Sequence, residues 1–357
     1  MPQSSIVVRP DPSDGTPQTP STRLQAAGLN SAIRLFEQAA RTVPLPSAPQ
    51  PIVIADYGAG TGHNALVPIG AAITELRKRT RPEHSVLVTH TDTPDNDFTA
   101  LFRTLSEDPG TYLHKGSAIF TSAIGRSFYD QILPSNSVHL GWSAWAILWL
   151  GKAPRPVGDH IAVTYSSDAG VRDAYARQAA HDWHEFIAFR GRELCPGGRL
   201  VVTTMALADD GDFGYQPLLA AISDTLHELT TDRLVHTDEV ERMSLPIVAR
   251  RAADFTAPFA PSGRFERLSI DQLEVFDAED RFFNQYRTHN DAKVFGAQWA
   301  AFCRFAVFDV FGAALQGDPA RRTSFFERLE AGIAARLAAR PERIRIPLAQ
   351  LVLEKRR

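Results

Sequence analysis

The chain has 357 residues, 44% of them hydrophobic, with a formal charge of −3. That is enough apolar material for a globular core, and so small a charge gives no basic field to draw nucleic acid. The two cysteines, Cys195 and Cys303, lie far apart, which excludes a disulfide framework and a cysteine-rich zinc site and fits a reducing, cytoplasmic compartment.

Residues 1–22 are rich in Pro, Ser, Thr and Asp. They bury too little apolar surface to offset the entropy of ordering, so a disordered arm is expected. No charged start leads into an apolar run, so no secretory signal is expected. Leu24 to Arg41 read as a helix, with Leu29, Ile33 and Phe36 at spacings of four and three. Four prolines in 42–51 mark a linker. Ile52–Ala55 then form a short strand ending on Asp56. A turn follows, Asp56-Tyr57-Gly58-Ala59-Gly60-Thr61-Gly62-His63-Asn64, and opens a helix over Ala65–Arg79 with its basic residues at the C-terminal end. Further strands are expected at Ser85–Thr89, Ala118–Thr121, Ser137–Gly141 and Arg199–Met205. The last of these follows a helix tail, Phe186–Leu194, stopped by Pro196-Gly197-Gly198. The most apolar segment, Val138–Leu150, falls short of the ~20 residues that span a bilayer. Residues 207–340 are mostly helical in pattern, broken by a strand at Phe265–Ile270, and Arg343–Val352 read as a last strand. Strands alternating with helices imply an α/β fold with a parallel sheet covered on both faces.

The glycine turn sits between a strand and a helix, where backbone without a Cβ can approach a ligand at the carboxyl end of a sheet. A dinucleotide there needs its phosphate against the helix N-terminus. S-adenosylmethionine has no phosphate, and its ammonium calls for an acid. Asp56 stands just ahead of the glycines, and Asp92 lies just past the second strand, where an acid suits ribose hydroxyls. The two acids favour S-adenosylmethionine. A nicotinamide or flavin enzyme, and a ligand-free strand–turn–helix, stay as alternatives.

Several separated blocks then occur in a telling order: Asn30-Ser31, Ala55 to Asn64, Asp92-Thr93-Pro94-Asp95-Asn96-Asp97-Phe98, Ser127-Phe128-Tyr129, Leu133-Pro134, Ser137-Val138-His139, Trp149-Leu150, and Arg190 with Glu193-Leu194 and Pro196–Arg199. Together they resemble the SABATH family. These are plant-type carboxyl methyltransferases acting on salicylic acid, benzoic acid and theobromine precursors, with bacterial relatives. The Asn96-Asp97-Phe98 block is the most specific. The resemblance covers 27–205 well and the C-terminal half loosely.

The resemblance implies a Rossmann-like methyltransferase core with a mostly parallel seven-stranded sheet under an α-helical cap. The expected organisation is an arm over 1–22, the core over 23–206, a cap interleaved with late core strands over 207–340, and a C-terminal strand or tail over 341–357. Ser31, Asp56, Asn64, Asp92, Thr93, Ser127 and Phe128 would line the cofactor, with Gly58 and Gly60 of the turn. Trp149 would donate its indole N–H to a substrate carboxylate, with Trp145 and Tyr215 as pocket aromatics. His139, on a strand near the pocket, is a further substrate candidate, the alternative being a satisfied core histidine. Two positions depart from the family pattern: Ala27 stands where it has Tyr, and Arg34 where it has Gln. Arg34 would grip a carboxylate through paired, charge-assisted hydrogen bonds, the alternative being an exposed helix arginine.

A carboxylic acid with a pKa near ~4–5 is already ionised at neutral pH. Methylating it requires alignment and exclusion of water rather than a general base, so no catalytic dyad is expected. The expected function is methyl-ester formation on a small lipophilic acid, aromatic or fatty. An N- or phenol O-methyltransferase and a non-catalytic cofactor-binding module stay as alternatives. His181 and His184 lie three apart on a helix, but His-Glu-x-x-His is absent, as is Gly-x-Ser-x-Gly. The expected partner is the small acid, with no nucleic acid, metal or membrane span. Monomer and homodimer both stay open.

Overall fold

The computed structural model describes residues 20–356, with side chains from Leu29 onward. The arm expected over 1–22 therefore lies outside the described residues, except that 20–22 open a helix, α1 (Pro20–Thr42). Helix α1 buries Leu29, Ala32, Phe36, Ala39 and Ala40, a stripe at helical spacing that faces the core.

The chain then alternates: β1 (Ile52–Tyr57), α2 (His63–Arg77), β2 (Val86–Asp92), α3 (Phe98–Glu107), β3 (Ile119–Gly125), β4 (Val138–Ala144), α4 (Ala169–Glu193) and β5 (Leu194–Met205). Every residue of β1 and β4 is buried, as in parallel strands covered on both faces. The cap segment follows as α5 (Gln216–Thr231), α6 (Thr237–Glu241) and α7 (Ala252–Thr256). Strand β6 (Leu268–Asp277) comes next, then α8 (Arg281–His289), α9 (Ala292–Ala306), α10 (Phe308–Ala314), α11 (Pro319–Ala339) and β7 (Pro347–Lys355).

One seven-stranded sheet results, in the order β3-β2-β1-β4-β5-β7-β6. Strands β1 to β5 pair parallel, and β7 runs antiparallel between β5 and β6. The order reverses between β1 and β4, the switch point where such sheets bind ligands beyond their carboxyl ends. Both the glycine turn after β1 and the tryptophan-bearing loop after β4 emerge there.

Three expected boundaries shift. Pro196-Gly197-Gly198 does not stop the chain ahead of a strand; it bulges out of β5. Val138 pairs with Leu194 and Leu140 with Arg199, so β5 spends three more residues than β4 between the two pairings. Strand β6 runs to Asp277 rather than ending at Ile270, and β7 runs from Pro347 to Lys355. In the cap, α9 packs against α11 and α11 against α5. The first approach is so close that a Cβ on Gly296 would lie 2.2 Å from the Ala334 carbonyl. Helices α9 and α10 meet at a bend of 58°. Among the described residues, no single helix is long and apolar enough to cross a membrane.

Candidate active site

At the end of β1 the chain takes Gly58, Gly60 and Gly62 through left-handed backbone, with φ of 85°, 53° and 87°. Residues with a Cβ pay for that conformation, and at Gly58 space forbids one as well: its Cβ would sit 2.4 Å from the Cβ of Ala146. The amides of Gly58 and Ala59 both donate to the Thr91 carbonyl, at 2.9 and 3.0 Å. Asp92 is fully buried and accepts from the amides of Gly60 at 2.7 Å and Thr93 at 2.8 Å. Asn96 donates to the Gly60 carbonyl at 2.9 Å, and Asp97 caps α3 by accepting from Ala100 N–H at 2.8 Å. The Asn-Asp part of the most specific block thus braces the turn and starts the next helix.

Asp56, 2% exposed, has Oδ2 at 2.8 Å from His90 Nδ1. Its Oδ1 takes no hydrogen bond from the described residues. Asn64 is half-buried on the first turn of α2, and Thr93 is buried. Two buried acids on one rim suit a ligand that carries an ammonium and no phosphate, and they repel a pyrophosphate. The residues present therefore fit S-adenosylmethionine.

The far wall is the loop after β3. Phe128 is buried, with its ring 3.6 Å from where a Cβ of Gly58 would be. Ser127 is half-buried and accepts from Tyr129 N–H at 3.2 Å. A buried brace holds this loop. Arg190 donates to the carbonyls of Phe128 and Asp130, both at 2.8 Å, and pairs with Glu193 at 2.9 Å. Glu193 accepts in turn from Ile132 N–H at 2.6 Å, Leu133 N–H at 3.0 Å and Tyr57 O–H at 2.7 Å. Burial first, then the Glu193 charge, pushes the Tyr57 phenol well above its ordinary pKa, so it serves as a fixed donor.

Beyond β4 the backbone carries strain. Trp145 has φ 59° and Tyr215, at the start of α5, has φ 62°. Left-handed backbone is uncommon for residues so bulky, and such strain concentrates at functional sites. The loop from Trp145 to Leu150 is tied down along its length. Trp145 N–H donates to the Thr203 carbonyl at 2.9 Å, and Leu150 N–H to that of Pro246 at 2.8 Å. Arg250 donates to the Ile147 carbonyl at 2.6 Å and Tyr129 O–H to the Trp149 carbonyl at 2.5 Å. Against this order, the indole N–H groups of Trp145 and Trp149 are buried without a partner. An unmet buried donor is costly and calls for an explanation. Trp142 and Trp299 share the condition, so position decides: Trp149 lines a cavity of about 50 Å³ with Tyr215, Met205, Phe213 and Phe302. The exposed surface of that cavity is wholly apolar.

The other expected residues are placed differently. Ser31, half-buried on α1, accepts from Gln350 Nε2 at 2.6 Å, which ties α1 to β7. Arg34 is exposed on α1 and has no partner among the described residues. His139 requires a correction. It is the second residue of β4, at the N-terminal end of the strand, whereas Trp145 and Trp149 lie past its C-terminal end. Its Nδ1 accepts from Val53 N–H at 3.1 Å, and burial lowers its pKa. It is the satisfied core histidine rather than a substrate contact. His181 and His184 are exposed on α4. Two contributors carried no sequence signal. His90 is a lone histidine inside a strand, and Arg250 lies outside every recognised block; only the folded chain brings them to the site.

The sequence profile of the SAM dependent carboxyl methyltransferases matches residues 19–355. Salicylate carboxymethyltransferase from Clarkia breweri is 25% identical over 237 residues, 63% of this chain and 64% of that enzyme. Anthranilate O-methyltransferase 1 from Zea mays is 25% identical over 285 residues, 73% of this chain and 75% of that enzyme. The chain thus spans between 64% and 75% of the length of these two relatives. A solved loganic acid methyltransferase with SAH shares the fold at a TM-score of 0.74 and 19% identity, covering 94% of this chain and 95% of that one. With the profile running almost end to end over the acid-flanked turn and the tryptophan cavity, the chain belongs to the SAM dependent carboxyl methyltransferases.

Proposed function

We propose that this protein converts a small lipophilic carboxylic acid to its methyl ester. The observation that carries the reading is the buried, unpaired indole N–H of Trp149, a residue that lines an apolar cavity. One donor in apolar surroundings suits one carboxylate on an apolar body. When bound, S-adenosylmethionine supplies a methyl group activated by its sulfonium. The chain's residues do the rest. Asp56 and Asp92 hold the cofactor's polar ends, Phe128 walls it, Trp149 orients the carboxylate, and the cap keeps water out. No base is needed for an acid already ionised. Arg34, exposed on α1, is the second carboxylate partner in this reading, its charge attracting the anion.

The test is transfer of a radiolabelled methyl group over a panel of aromatic and fatty acids. A base-labile product supports the ester reading; a base-stable product transfers it to the N- or phenol O-methyltransferase. Cofactor binding without product on any acid leaves a cofactor-binding module, a reading given weight by the inactive anthranilate O-methyltransferase 1 of Zea mays, 25% identical over 285 residues.

A further inference from the structure

We propose that His90 is a positioning residue for the cofactor: it locks the carboxylate of Asp56 so that one oxygen stays presented to the ligand. The inference rests on the reading of Asp56 as the acid that meets the cofactor's ammonium. The geometry is a buried chain running from the cofactor rim into the sheet. Asp56 and His90 are direct neighbours on β1 and β2, paired in register. His90 is 0% exposed, with Nδ1 at 2.8 Å from Asp56 Oδ2 and Nε2 at 2.7 Å from the Tyr112 hydroxyl. The same hydroxyl lies 3.3 Å from Thr121 Oγ1 on β3. Each link is on a separate element: β1, β2, the turn after α3, and β3.

The chemistry of each link fixes the next. An ionised carboxylate only accepts, so Nδ1 carries a proton. Burial holds the Tyr112 phenol above its ordinary pKa, so it remains a phenol and fixes the ring from the far side. A second tether runs through the backbone: Thr91 O–H donates to the Asp56 carbonyl at 3.0 Å. A terminal carboxylate torsion is otherwise broad and two-fold. With Oδ2 committed to His90, Oδ1 is the oxygen left without a partner. A site whose acid is already oriented orders fewer groups when its ligand arrives. The mechanism of methyl transfer itself makes no use of a histidine, which leaves this buried one to be explained by the acid it holds.

The test compares His90→Leu, which keeps bulk and loses both hydrogen bonds, with His90→Asn, which keeps an N–H near the place of Nδ1. Calorimetric titration with S-adenosylhomocysteine reads binding without turnover. His90→Leu should weaken it about tenfold, the scale of one hydrogen bond to a charged group. The KM for S-adenosylmethionine should rise in parallel, while the KM for the acid and kcat at saturation stay near wild type. His90→Asn should recover most of the lost affinity. Wild-type affinity in His90→Leu overturns the proposal, as does His90→Asn as weak as His90→Leu, which reduces His90 to packing. Should His90→Leu fail to fold, Tyr112→Phe takes its place. It should weaken binding about threefold by freeing the ring, and unchanged affinity overturns the proposal. A wild-type chain that ignores S-adenosylhomocysteine overturns the cofactor reading and this inference with it.

Discussion

At the scale of single residues, the site separates positions whose types announce themselves from positions that acquire a role by folding. Gly58 was legible because only glycine suits both its φ and its clearance from Ala146. Asp56 and Asp92 were legible because an acid directly after an apolar strand has few structural uses. Trp149 was singled out by resemblance alone, since a tryptophan in an apolar run is otherwise read as core. Trp149→Phe keeps the ring and deletes the donor. A hydrogen bond to a charged partner contributes about 1.5–3 kcal/mol, so kcat/KM for the acid should fall about 10- to 100-fold. The dissociation constant for S-adenosylhomocysteine should stay as in wild type; a parallel loss of both would place Trp149 in the core instead. Arg34→Ala is the contrasting case. Arg34 is exposed, so the KM for the acid should rise by a smaller, salt-sensitive factor with cofactor affinity unchanged. A KM indifferent to the change makes Arg34 a solvated helix arginine. His139 was misassigned because strand membership does not say which end of a strand a residue occupies. That end decides whether it meets a ligand or a neighbouring backbone amide.

At the scale of elements, strands buried on both faces stood out as apolar runs, and β1, β2 and β4 were placed within a few residues. The bulge in β5 was hidden, because Pro-Gly-Gly reads as a stop in any sequence and only pairing with β4 keeps it inside a strand. Strand β6 was cut short because its outer half, from Asp271 to Asp277, mixes three acids and a glutamine with three apolar residues at the sheet edge. The Arg190–Glu193 pair was visible as a motif, while its use as a brace between α4, β1 and the Phe128 loop was not. Glu193→Gln strands a buried guanidinium, which costs about 3–5 kcal/mol. Urea unfolding should register that loss, and cofactor affinity should weaken as the loop loosens. A variant of unchanged stability argues against the brace. In the cap, Glu239 joins α6 to Arg321 on α11, with Oε1 at 2.7 Å from Arg321 Nη1 and 2.8 Å from Gln316 N–H. The Arg321 hydrogen bonds hold its pKa at about 2, below the 4.5 of a free side chain. A lowered folded-state pKa means stability that is complete above pH 4.5 and is lost as pH falls toward about 2. Unfolding free energies of wild type and Glu239→Gln should therefore converge as pH drops through that window. A constant gap would mean that Glu239 acts through packing.

At the scale of the whole molecule, ligand and fold are one equilibrium. S-adenosylhomocysteine at about 100 times its dissociation constant should stabilise the native state by roughly 2.7 kcal/mol, seen as a raised melting temperature, whereas NAD should leave it unmoved. The opposite pattern would reject the acid-flanked turn as a methyl-donor site. The cap was the least legible region because its helices bury one another rather than follow a sheet. Yet the cap supplies most of the cavity wall, from Phe213 and Tyr215 to Phe302. Because the surface of that cavity is wholly apolar, it holds an acid and its ester by the same contacts, and only the groups proposed to meet the carboxylate, Trp149 and Arg34, tell them apart. Each added methylene strengthens acid and ester alike, by about 0.8 kcal/mol. The margin between them stays constant while dwell time lengthens. Product inhibition should therefore grow with the size of the apolar body, until turnover is governed by how fast the ester leaves.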